Sequence, residues 1–110
     1  MKKNSLYDII QLAITQVERE FVVAEMLLLV SHYKPIFWSW GVEKKFNIRN
    51  KGLLLKVKGK KFKGYVHIVL GWDDLYKTHL INNNGEVEKT LSDIYFDQLV
   101  KIIDNEIETN

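Results

Sequence analysis

The chain has 110 residues, is 46% hydrophobic and 27% charged, and carries a formal net charge of +2. That length suits one hydrophobic core and is too short for two, so a single domain over 1–110 is expected. There is no cysteine, which excludes disulfides and thiolate metal sites and gives no sign of secretion.

The first residues begin basic, but Asp8 and Gln11 interrupt any signal-type apolar run, and no small-residue cleavage site follows. Asn4 or Ser5 can cap a helix start. Leu6, Ile9, Ile10, Ala13, Val17 and Phe21 recur at three- and four-residue steps, which predicts one buried helical face. From Phe21 to Val30 the apolar character spreads to nearly all sides. With Glu25 inside it and half the required length, this run does not make a membrane span. It predicts a continuation of the same long helix, bent near Glu20, with a strand from Phe21 as the alternative. Pro35 is expected to end it, since the residue before a proline avoids the helical region. A cytoplasmic location is the default.

After Pro35, the alternating aromatics of Ile36 to Gly41 read as a strand, with Ile36, Trp38 and Trp40 on one face. A polar strand follows over Glu43 to Arg49. Asn50 to Gly52 makes a turn. Residues 52–82 then read as three antiparallel strands. Leu53, Leu55 and Val57 point one way, and Lys56 and Lys58 the other. The strand Tyr65 to Leu70 is apolar on both faces, hence central, and Tyr76, Thr78 and Leu80 continue the inner face. Asn84-Gly85 signals a hairpin with a type I′ turn, returning a short strand from Glu86 to Lys89. A last helix is expected to open at Thr90 or Ser92, with Leu91, Ile94, Tyr95, Leu99, Ile102, Ile103 and Ile107 as its stripe. The expected fold is α+β: an antiparallel β-meander of five to six strands, flanked by an N-terminal and a C-terminal helix packed on one face.

Charge is strongly segregated. Residues 44–63 hold nine basic side chains and no acidic one, whereas the other ninety residues hold seven basic against fourteen acidic. Lys56, Lys58, Lys60, Lys61 and Lys63, with Phe62 at the hairpin tip, are therefore the candidate nucleic-acid site: lysines along a phosphate backbone, aromatics stacking on bases. The plainer reading is a solvated strand face with a lysine-protected edge. Lysine outnumbers arginine 14 to 2, which argues against bidentate base reading. Trp38, Trp40 and Trp72 are candidates for an interaction surface, with core packing the alternative for the first two.

No other group makes a site. His67 and His79 fall on neighbouring strands and would face each other on the outer side, but a metal needs further ligands, so no metal is expected. Asp73 and Asp74 read as turn formers. Gly59 and Gly64 have the spacing of a phosphate loop, but Tyr65 and Val66 follow instead of Lys and Ser/Thr. No serine sits in a nucleophile elbow. No catalytic residue and no cofactor is expected.

One spaced pattern is recognisable. It runs through Ser39-Trp40-Gly41, Phe46, Gly52-Leu53 to Gly59, Gly64 to Ile68, Asp74-Leu75-Tyr76, and Asp93 to Val100 with Ile102 to Asp104. It resembles a group of short uncharacterised bacterial proteins, some carried by phages and other mobile elements. The resemblance spans roughly residues 36–104. It implies a small stand-alone domain and brings no activity or site residue with it. The expected function is a non-enzymatic module that binds a protein or its own copy, its basic and acidic poles steering association. The alternative is sequence-tolerant nucleic-acid binding through 44–63.

Overall fold

The computed structural model describes residues 6–108. In chain order these form α1 (Leu6–Gln16), α2 (Val23–His32), α3 (Lys34–Ser39), β1 (Lys44–Asn47), β2 (Gly52–Lys58), β3 (Lys63–Leu70), β4 (Tyr76–Ile81), β5 (Val87–Ile94), a 3₁₀ turn (Phe96–Gln98) and α4 (Leu99–Ile107). The five strands make one antiparallel sheet in the order β1-β2-β3-β4-β5. This is the α+β meander read from the sequence, with helices before and after it.

The helices cover both faces of this sheet. Along β2, Leu53, Leu55 and Val57 enter the larger core with Val66, Ile68 and Leu80, beneath Val23, Met26 and Val30 of α2 and Leu99, Ile103 and Ile107 of α4. Leu54, Tyr65 and Ile81 point the other way and form a second core with Ile9 and Ala13 of α1. A sheet whose central strands are apolar on both sides needs a layer on each. One continuous N-terminal helix would cover only one side, and the chain therefore breaks after Gln16. Residues 17–22 run across the end of the sheet instead. There the Arg19 N–H donates to the Leu70 carbonyl at 3.1 Å and the Phe21 N–H to Asn50 at 3.0 Å.

Three other segments depart from the sequence expectation. Ile36 to Gly41 is not a strand: α3 occupies it, with Pro35 in its first turn, where a missing N–H costs nothing. Helical spacing turns Trp40 inward and Trp38 outward, so the two do not share a face. β5 extends to Ile94 and takes Leu91 and Ile94 into the sheet; α4 starts only at Leu99. The type I′ geometry falls at Arg49 and Asn50, both at positive φ (55° and 57°), between Ile48 and Lys51. At Asn82–Gly85 only Gly85 has positive φ, the pattern of a type I turn followed by a left-handed residue.

Candidate functional site

The β2–β3 hairpin divides the basic segment in two. Its tip folds onto the end of α4, whose last carbonyls lack helical partners. The Lys61 N–H donates to the Ile107 carbonyl at 2.7 Å, and Lys61 Nζ donates to the Asn105 carbonyl at 2.9 Å. The Lys60 N–H donates to Glu108 Oε2 at 2.6 Å. A lysine at a helix C-terminus also meets the negative end of its dipole. Phe62 is half-buried against the larger core and presents no free ring. Lys61 and Phe62 thus help bind the hairpin to α4, while Lys60 gives it only a backbone N–H and keeps an exposed side chain.

Four lysines of the segment, Lys44, Lys56, Lys58 and Lys63, gather on the α1 side, whereas Lys45 lies by α2 and Lys51 near Trp72. Antiparallel register sets Lys44 opposite Lys56 and Lys58 opposite Lys63. Directly opposed residues project from the same face, and this face is that of Leu54, two residues before Lys56. All four lysines line one open groove of about 440 Å³, together with Leu6, Glu43, Val57, Tyr65 and Asn83. Among the described residues Glu43 is its one carboxylate, 3.8 Å from Lys56 Nζ and 3.4 Å from Lys58 Nζ. Four cations against one anion, in a concave site floored by the sheet, make a locally positive field. Tyr65 and Asn83 were not singled out from the sequence, and Lys44 was read only as one member of the basic segment 44–63. The alternation of β2, combined with the register set by its hairpin, is the signal that would have found Lys44.

The tryptophans separate as well. Trp40 is 0% exposed, and its Nε1–H donates to Asp104 Oδ1 at 2.9 Å, fastening α3 to α4. It can present nothing to a partner, which corrects its place among the surface candidates. Trp38 is 74% exposed and Trp72 is 73% exposed. They stand near opposite ends of β2, about 20 Å apart at the usual rise per strand residue, so they do not form one patch. Trp72 borders a smaller hollow shared with Glu18, Arg19, Glu20 and Lys51. Beside it, a hydrogen bond from Lys77 holds the Glu18 carboxyl below its ordinary value.

His67 and His79 are register partners, as expected, with ring centroids 6.1 Å apart. Their face is not an outer one, because α1 covers it. His67 is fully buried, and its Nδ1–H donates to Gln16 Oε1 at 2.7 Å. Burial, with a smaller contribution from His79, pushes its pKa down to about 3, so it stays neutral. Among the described residues no group of three or more potential ligands is placed to hold a metal ion. Asp73 Oδ1 accepts the Leu75 N–H, as a turn aspartate does, and Asp74 pairs with Arg19.

Among the described residues no helix is long and apolar enough to cross a membrane. Comparison with protein-family models, curated proteins and solved structures finds no match to this chain.

Proposed function

We propose that this chain is a small non-enzymatic binding module whose groove between α1 and the β1–β3 surface holds a polyanion, with nucleic acid the first to test. The observation that carries this reading is the pair of lysine–lysine registers, Lys44 with Lys56 and Lys58 with Lys63, facing one groove. Like charges directly opposite each other weaken a sheet. Glu43 offsets them only in part, because exposed ion pairs contribute about 0–1 kcal/mol. A bound row of anions would relieve that repulsion and release counterions. The resemblance to short bacterial and phage-borne proteins, and a cytoplasmic setting, both fit such a module.

The test is a salt titration of binding to labelled duplex DNA and to heparin. Wild-type protein should bind with a steep salt slope. Lys58→Glu with Lys63→Glu should weaken binding and flatten the slope, while the unfolding midpoint stays in place. Absence of binding at low salt, or an unchanged slope in the double variant, refutes the groove as a polyanion site.

A second reading, a protein partner or a second copy of the chain, rests on the exposed indole of Trp72 at the far end of β2. Sedimentation that remains monomeric at high concentration would remove its self-associating form.

A further inference from the structure

We infer that the Glu43 carboxylate holds the place of one ligand phosphate, and that a duplex nucleic-acid backbone enters the groove by displacing it. This rests on the polyanion reading above and names both the ligand class and the residue that competes with it. Lys56 Nζ lies 3.8 Å from Glu43 Oε1, and Lys58 Nζ lies 3.4 Å from Oε2. Each oxygen thus faces its own ammonium. A phosphodiester presents the same pattern, two non-bridging oxygens sharing one negative charge. The carboxylate therefore marks where a phosphate would be held. The Glu43 N–H donates to the Lys56 carbonyl at 2.8 Å, so the backbone stays in the ladder and only the side chain has to turn away.

Exposure decides how firmly that place is held. The side chains of Glu43, Lys56 and Lys58 are 41%, 34% and 65% exposed, so water and salt screen both pairs and each is weak. An arriving backbone meets the same two ammonium groups. It also meets Lys44 and Lys63, which pair with no carboxylate among the described residues. The form of the ligand follows from the lining. Among the described residues no arginine lines the groove, and its one ring, Tyr65, is 6% exposed. Without a planar fork for base edges or a ring for unpaired bases, contact is left to the phosphates. A duplex carries one charge per about 1.7 Å of its axis, against about 3.4 Å for one of its strands. A groove that reads charge alone favours the denser form and tolerates any sequence.

The experiment compares the full chain with Glu43→Gln, Glu25→Gln and the Lys58→Glu/Lys63→Glu double variant. Glu25 is exposed on α2, across the sheet from the groove, and its removal changes the net charge equally. The probes are a labelled mixed-sequence duplex, oligo-dT of equal length and heparin, each over a salt series, with urea midpoints to check folding. Glu43→Gln should bind the duplex roughly 2- to 30-fold more tightly, the range for two exposed ion pairs that no longer compete. Its salt slope should steepen by about 0.9, for one more phosphate neutralised. Glu25→Gln should match wild type, the double variant should lose binding, and wild type should prefer the duplex to oligo-dT. Equal or weaker duplex binding by Glu43→Gln, or an equal gain in Glu25→Gln, overturns the competing role and leaves the polyanion groove standing. Oligo-dT binding as tight as duplex binding overturns the duplex assignment. Binding to heparin without binding to either nucleic acid overturns the nucleic-acid reading. Binding of no probe by wild type or Glu43→Gln overturns the groove itself.

Discussion

Acidification should destabilise this protein through one buried imidazole. His67 sits on β3 beneath α1, and its Nδ1–H is used by Gln16. Its Nε2 has no hydrogen-bond partner and lies against Gly52, where a Cβ would come within 2.2 Å of it. A second proton would therefore place both a charge and an unsatisfied donor in an apolar layer. The folded-state pKa is down to about 3, against 6.5 for an ordinary imidazole. Because the folded value lies below the unfolded one, the unfolded chain takes up the proton first. The stabilisation is whole above pH ~6.5 and is lost progressively as pH falls from there toward about 3. Between about pH 7 and pH 5, linkage puts the loss at about 2 kcal/mol.

Urea unfolding followed by circular dichroism at those two pH values measures this loss. His67→Leu removes the titrating group while keeping a buried side chain, and Gln16, only half-buried, can turn to water. Burial lowers the pKa of His79 as well, so part of the pH dependence persists in both proteins. The difference in slope between them isolates His67. If wild-type protein and His67→Leu lose the same stability between pH 7 and pH 5, the buried neutral imidazole is not the cause and the reasoning fails.

Two further substitutions probe the larger core. Thr78 is buried on the α2–α4 face, and its hydroxyl has no partner; Thr78→Val should raise stability by about 1 kcal/mol, seen as a higher urea midpoint at unchanged m-value. Asp104→Ala leaves the buried Trp40 Nε1–H without its acceptor and should cost about 1–3 kcal/mol, with a drop in thermal midpoint and a change in tryptophan emission.

Much of the fold was legible because strand alternation is a local property. Leu53, Leu55 and Val57 against Lys56 and Lys58, and the two-faced strand after Gly64, fix which side chains go inward whatever else the chain does. The groove was half legible in the same way. The basic segment stands out by composition, but Lys44 joins Lys56 only through the register of β1 on β2. Lys61 and Phe62 turn toward α4 only because that helix ends against the hairpin tip, forty-odd residues away in sequence.

By itself, then, the sequence determined an antiparallel sheet, its apolar faces and the concentration of positive charge, since period-two patterning and charge runs act between neighbours. Tertiary structure decided the rest. A sheet apolar on both sides forced the N-terminal helix to divide between two layers. Helical spacing hid Trp40 and exposed Trp38. Strand pairing, which links residues far apart in the chain, placed two pairs of lysines face to face in one groove.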